Sequence, residues 1–511
     1  MFKNHPKGLL AAALANMGER FGFYTMMAIL SLFLMAKFGL DETNAGIIYS
    51  IFYFSIYILA FVGGLIADKT RNYKGTILIG LILMALGYLM ISIPTPTPVP
   101  ADKFIMYMAI TCFGLFVIAF GNGLFKGNLQ ALVGQMYDNP EYGKMRDSGF
   151  SLFYMFINVG AIFAPIAAVG VRNWWVSSHG FEYNSSLPEL CHKLLNGSIT
   201  SEGTTKLTEL SAKVGFQGTD LTAFANEYLN VFATGFHYAF AVAIFAMMIS
   251  LTIYLVNKKN FPDPANKQKA DSNNPNIVEM SAKEVQQRLS ALFAVFAVVI
   301  FFWFSFHQNG LTLTYFAKDY TDLSSININL GFTRLVGAEL FQSINPFFVV
   351  FLTPVILSLF GFLRARNIEP STPKKIAIGM GIAALGYVVM VIGSMGVPTK
   401  AVITEMGGLP DAERVTPLLL IGTYFILTVA ELFISPLGIS FVSKVAPPKY
   451  QGMMQGLWLC ATAIGNSLLF IGAIFYKSIP ISYTWAIFVV ACIISMLTMF
   501  FMLKWLERIA R

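Results

Sequence analysis

Charge is what this chain has least of. Of its 511 residues only 12% are Asp, Glu, Lys or Arg, about half the share found in soluble domains. A soluble chain of this length divides into domains with polar surfaces and linkers, and the scarcity argues against one. Cysteine is scarce too. There are four, with Cys112, Cys460 and Cys492 inside apolar stretches and no CxxC, which argues against a disulfide framework or a thiolate zinc site. Catalytic signatures are missing: no HExxH, no GxSxG, no paired intramembrane Asp, and five scattered histidines. No Walker A sequence occurs, and the glycine-rich stretches around Gly121 and Gly379 lie in apolar runs, not in nucleotide loops. The net charge of +8 forms no clustered basic face of the kind nucleic acid requires. The chain is read as no enzyme, with no cofactor, no metal and no nucleic-acid partner.

Hydrophobic residues make up 56% of the chain and come in long blocks. A bilayer core of roughly 30 Å takes about 20 helical residues to cross. Twelve spans are expected, at 8–36, 44–67, 75–93, 103–137, 147–171, 230–257, 287–317, 331–363, 374–396, 415–445, 450–477 and 482–506. The N-terminus runs into the first span with no small-residue cleavage site, so that helix reads as retained. With a cytoplasmic N-terminus, the loops on that side hold 22 Lys and Arg and the opposite loops 11, the bias expected of a multi-pass protein with both termini inside. The polar stretch 172–229 reads as an outer loop with a short amphipathic helix near 219–229 and N-x-S/T sequons at Asn184 and Asn196. Residues 258–285, rich in Lys, Asn, Asp and Pro, read as a cytoplasmic linker. That divides the chain into an N-terminal six-helix bundle (1–257) and a C-terminal one (286–511). The fold class is an all-α membrane protein with the 6+6 layout of the major facilitator fold.

Four charges lie where lipid is expected: Glu19, Arg20, Lys126 and Glu431. Each costs about 2.5–3.5 kcal/mol at the bilayer centre on insertion scales. They are either structural pairs between helices or the lining of a polar cavity between the halves. Asn16, Glu19, Arg20 and Tyr24 share one helical face, as do Asn122, Lys126 and Gln130 beside Gly121, Gly123 and Gly127. Those glycines suit close helix approach. Glu431 precedes Ser435-Pro436, and Asn345 precedes Pro346, where the ring breaks the backbone ladder. Cations in one half and an acid in the other suit a zwitterion: an amino acid or a short peptide.

At this point the residues resemble the proton-dependent oligopeptide transporter family of the major facilitator superfamily. Gly18-Glu19-Arg20-Phe21-Gly22-Phe23-Tyr24 is similar to the end of its E-x-x-E-R-F-x-x-Y helix, and Gly63-Gly64-Leu65-Ile66-Ala67-Asp68 to its loop motif. Phe153-Tyr154-Met155-Phe156-Ile157-Asn158-Val159-Gly160, Phe341 to Pro346, Glu431 to Pro436 and Gly452 to Trp458 resemble later signatures. The resemblance implies import of di- and tripeptides by alternating access, coupled to protons. It implies that Arg20 and Lys126 hold the peptide carboxylate with Tyr24 and Tyr57, that Asn158 and Asn345 bond its backbone, and that Glu431 binds its amino terminus. Trp458 and Thr462 would line a side-chain pocket and Asp68 would serve a gate. For Tyr57 and Trp458 ordinary helix packing is the other reading, and for Asp68 a solvated loop charge.

Two departures bear on coupling. Asn16 stands where the family has its first glutamate, and Phe306-His307-Gln308 where an acid often precedes Gln. Proton coupling is therefore assigned to Glu19, His307 and Glu431. A neutral His307, bonded within the seventh helix, is the alternative. The other functional readings are a transporter of another organic solute or anion, an uncoupled peptide facilitator or exchanger, and a receptor or scaffold that binds without flux. The expected setting is a cell membrane, the bacterial inner membrane, with the chain acting as a monomer in the bilayer on a small peptide and a proton.

Overall fold

The computed structural model describes residues 5–137, 141–142, 146–262, 280–447 and 451–510. Among them, twelve helical segments are long and apolar enough to cross a membrane. In the first half these are α1 (Lys7–Phe38), α2 (Glu42–Thr70), α3 (Tyr73–Ser92), α4 (Phe104–Met136) and α5 (Arg146–Ser178). Two short helices follow, α6 (Leu187–Leu195) and α7 (Ser201–Lys213), and α8 (Leu221–Asn257) completes that half. The second half begins at α9 (Ala282–Phe306), which a 3-10 turn over His307–Gly310 separates from α10 (Thr312–Tyr320) within one span. A hairpin of β1 (Ile328–Asn329) and β2 (Arg334–Leu335) leads to α11 (Ile344–Ala365). Then come α12 (Thr372–Gly393), the short α13 (Lys400–Glu405), α14 (Pro417–Val445), α15 (Gln451–Ser467), α16 (Leu469–Ser478) and α17 (Ile481–Ala510).

Helix starts follow local chemistry. Asp41, Asp220, Ser281, Ser371 and Thr416 each cap a helix by accepting from a backbone N–H in its first turn. The first half packs α1 on α5 and α8, and α4 on α2 and α3. The second packs α12 on α14 and α17, and α9 on α15 and α17. The halves meet through α2 against α15 and α16, and through α5 against α11. Glycine makes one of these contacts possible. A methyl group on Gly63 would stand 2.1 Å from the Gly123 carbonyl oxygen, and one on Gly123 would stand 2.4 Å from that of Leu59. Gly121 meets Gly80 in the same manner, whereas Gly127 has space around it.

Three expectations change. The outer loop begins later and ends earlier than 172–229, because α5 runs to Ser178 and the amphipathic stretch near 219–229 is the first turns of α8, capped by Asp220. Between them lie two helices, α6 and α7, where none was expected. Pro346 falls in the first turn of α11, where no helical bond is lost, while Pro436 lies inside α14 as expected. Most of the linker read over 258–285 lies outside the described residues, as does the side chain of Asp68.

Candidate functional site

The polar face of α1 is buried between α4 and the second half. Arg20 grips Glu19 through two parallel bonds, Nε to Oε2 at 2.5 Å and Nη2 to Oε1 at 2.7 Å. Asn122 Nδ2 donates to Glu19 Oε1 at 2.5 Å, so both carboxylate oxygens are engaged. Both Glu19 and Arg20 are buried, and Arg20 also lies over Phe23, 4.6 Å from the ring centre. Asn16, on the same face, is buried and carries no charge.

Between the halves lies a cavity of about 300 Å³. Arg20, Tyr24, Tyr57 and Lys126 face it from the first half, and His307, Asn345, Glu431, Trp458 and Thr462 from the second. Lys126 Nζ sits 4.8 Å above the Tyr57 ring, and among the described residues no carboxylate lies within ion-pair distance of it. Glu431 likewise has no cation there. Its Oε2 accepts from Asn345 Nδ2 at 2.9 Å, and the same amide donates to Thr428 Oγ1 at 3.0 Å. Ser435 Oγ and Trp303 Nε1 also face the cavity, buried and, among the described residues, without a hydrogen-bond partner. The wall therefore offers an unpaired ammonium on one side, an unpaired carboxylate on the other, and free hydroxyl and indole groups between.

Three expected site residues sit differently from their neighbours. Asn158 does not face the cavity; its Nδ2 donates to the Tyr154 carbonyl one turn back at 3.1 Å. Glu19 stands behind Arg20, off the cavity wall. His307 opens the 3-10 turn that interrupts its span, and its Nδ1–H donates to Asn466 Oδ1 on α15, not within its own helix. Trp303 and Tyr53 flank the ring at 4.8 and 4.9 Å between centres. Trp458 is buried against Gly438, and Thr462 Oγ1 donates to the Trp458 carbonyl at 3.3 Å.

Sequence reasoning missed a second cluster, at the end of the bundle where α1 stops (the distal end). There Lys400 reaches Glu42, Glu189 and Asp319 at 3.0, 3.1 and 3.0 Å, and Lys318 lies 3.8 Å from Glu42. Arg172 pairs with Glu339, both side chains fully buried, and Lys477 pairs with Asp41 at 2.5 Å. All of these but Lys400–Asp319 link the two halves, and among the described residues every ion pair between halves lies at this end. Burial alone would raise the pKa of Glu189, but Lys400, Lys318 and Lys193 outweigh it and hold the carboxyl well below its usual range. Burial would lower that of Lys400, but Asp319, Glu189 and Glu42 hold it well above. The signal for this cluster was present as acids and bases at helix ends in both halves, which hydropathy counts as loop charges.

The comparisons with known proteins agree in scale and kind. The family model described as the POT family matches residues 74–278 and 265–486. A peptide transporter of Yersinia enterocolitica, YePEPT, is 30% identical over 91% of this chain and 87% of its own length. The di-/tripeptide transporter of Lactococcus lactis subsp. lactis is 25% identical over 91% of this chain and 89% of its own. Among solved structures, the crystal structure of a peptide transporter POT in complex with sulfate superposes with a TM-score of 0.72 at 23% identity, covering 100% of this chain and 96% of that one. At that identity the likeness speaks for the fold, which is the major facilitator fold.

Proposed function

The chain belongs to the POT family of membrane transporters, and from that premise we propose that it imports di- and tripeptides by alternating access, driven by protons. The observation that carries this reading is the division of charge across the central cavity. Lys126 and Arg20 stand on one half, Glu431 on the other, and among the described residues neither Lys126 nor Glu431 has a counter-ion within 4 Å. A zwitterion of dipeptide length supplies both missing partners. Its carboxylate is held by Lys126 with Arg20, Tyr24 and Tyr57, and its ammonium by Glu431. Asn345, Trp303 and Ser435 bond its backbone, while Trp458 and Thr462 line the space for a side chain. The substrates named for the Yersinia and Lactococcus relatives support the same class.

Coupling falls on fewer groups than the family pattern has. Asn16 does not titrate in any useful range, and Glu19 has both oxygens committed to Arg20 and Asn122. Glu19 is assigned to holding Arg20 in position. Glu431 and His307 are left as the proton carriers, with the proton and the peptide ammonium alternating at the Glu431 carboxylate. A second reading, a peptide facilitator or exchanger without coupling, is favoured by the same commitment of Glu19 and the loss at Asn16. Asp68 is assigned to the gate at the cytoplasmic end. The chain acts as a monomer in a bacterial inner membrane with both termini cytoplasmic, an orientation supported by the two-to-one bias of Lys and Arg.

The test is uptake of labelled dialanine into proteoliposomes under an inward proton gradient, with and without a negative interior potential. Accumulation above equilibrium is expected. Equilibration without accumulation would keep the peptide and remove the coupling. Absence of uptake and of counterflow would overturn the peptide assignment.

A further inference from the structure

We propose that the tip of the β1–β2 hairpin is an interfacial anchor, which inserts Leu330 and Phe332 into the headgroup–acyl boundary of the leaflet at the distal end. A turn in water is built from Gly, Pro, Asn, Asp or Ser. This one runs Leu330-Gly331-Phe332-Thr333, closed by a bond from Leu330 N to the Thr333 carbonyl at 2.9 Å, with Gly331 at φ +84°. Its apolar side chains point into the open: Phe332 is 72% exposed, Ile328 55% and Leu330 47%. Ile328 and Leu330 are two apart and share a strand face. Adjacent exposed apolar side chains on a short turn mark a contact surface.

The place of the hairpin says what covers it. Thr333 Oγ1 donates to the Gly170 carbonyl at 2.7 Å, and Asn173 Nδ2 to the Arg334 carbonyl at 2.7 Å, so the hairpin lies along the last turns of α5 inside its membrane-crossing segment. On α5, Phe163, Gly170 and Trp174 are 7 and 11 residues apart and fall on one stripe, opposite the face that carries Tyr154 to the central cavity. Phe163 is 56% exposed and Trp174 46%, an outward apolar stripe that ends in a tryptophan at the level where aromatic belts form. The hairpin is continuous with that lipid-facing stripe. Its flanks suit the boundary and no deeper level. Its outer strand edges carry polar backbone that hydrocarbon does not satisfy, and Arg334, paired with Glu182 at 3.2 Å, stays at headgroup height. A second copy of the chain is the weaker occupant. Three side chains offer far less than the roughly 800 Å² per partner of a stable interface.

The test uses the full chain in lipid nanodiscs, with Cys112 and Cys460 replaced by serine. An environment-sensitive fluorophore is attached at Phe332→Cys, at Leu330→Cys or, as the aqueous reference, at Thr205→Cys on α7. Blue-shifted emission at 330 and 332, quenched by brominated lipid and protected from iodide, is expected, with the reverse at 205. Emission and iodide quenching at 330 and 332 equal to those at 205 would overturn the proposal. So would disulfide cross-linking of Phe332→Cys copies without lipid quenching, which assigns the tip to a second copy.

Discussion

The Arg172–Glu339 pair allows the stability of the distal closure to be worked out and tested. Both side chains are fully buried, on opposite halves. The guanidinium is otherwise held on its own half by Asn173 Oδ1 at 3.0 Å and by the Tyr183 and Phe236 rings at 4.3 and 5.2 Å, and across the closed end by the Val336 carbonyl at 3.3 Å. Glu339→Gln leaves this cation buried without its counter-charge only while the distal end is closed; once the halves part, water reaches it. Breaking a buried pair in this way costs about 3–5 kcal/mol. The contacts that remain to Arg172 argue for the low end, and about 3 kcal/mol shifts the open fraction roughly 150-fold. Ala36 reports the change, because it is buried and lines the cavity of about 470 Å³ at that end. In detergent, with Cys112 and Cys460 replaced by serine, a cysteine at Ala36 should react with a charged maleimide roughly two orders of magnitude faster in Glu339→Gln than in the parent. The double replacement Arg172→Met with Glu339→Leu removes both charges, and its rate should return close to the parent's. Equal rates in parent and Glu339→Gln would refute the reasoning, as would a double variant as fast as the single one.

Four further outcomes follow from the geometry. On the proposed binding mode, Lys126→Ala removes a charged bond to the peptide carboxylate worth about 1.5–3 kcal/mol, so the apparent KM for dialanine should rise roughly tenfold or more in counterflow. Glu431→Gln should make free and N-acetylated dipeptides compete equally, which a competition assay reads directly. His307→Gln should abolish gradient-driven accumulation yet keep counterflow; loss of both would assign His307 to binding. Gly63→Ala forces a methyl onto the Gly123 carbonyl and should lower thermal stability by about 1–3 kcal/mol, whereas Gly64→Ala, with nothing within 4 Å, should not.

Much of the architecture was legible because it is written in local pattern. Twelve apolar runs and the shared face of Glu19, Arg20 and Tyr24 depend only on residues near one another in the chain. The unpaired state of Lys126 and Glu431 was half legible: sequence identifies charges within spans but not their partners. The distal cluster was hidden for the same reason. Arg172 and Glu339 are 167 residues apart, and each sits near a helix end, where a charge looks solvated until its partner is known. The helices α6 and α7 escaped because they are short and lie between the long spans, where hydropathy carries no signal. Asn158 illustrates a finer limit. It lies one turn from Tyr154, which faces the cavity, yet its own amide is taken by that residue's carbonyl. Helical spacing selects a face; it does not determine what a side chain bonds.

Charge is divided between the two clusters in opposite ways, and the division argues for where the solute binds. A charge placed in the membrane costs about 2.5–3.5 kcal/mol on insertion scales, and pairing within the protein offsets it. In the distal cluster each acid is offset. Glu42, Glu189, Asp319 and Glu339 each have a lysine or arginine within 4 Å. In the central cavity Glu19 and Arg20 offset one another, but Lys126 and Glu431 stand on different halves with a ring and an amide as their nearest partners. Lys126 on α4 and Glu431 on α14 line the same cavity from different halves. On the proposed reading, a solute that carries both signs offsets both at once. A solute with one charge satisfies one wall and leaves the other exposed, so a monovalent anion or amine binds more weakly than a zwitterion of matching length. Dialanine, N-acetyl-alanine and alanine amide measured against one another in competition therefore rank the walls: the zwitterion first, each single-charge analogue well below it, and equal competition by all three would remove the charge division as the basis of recognition.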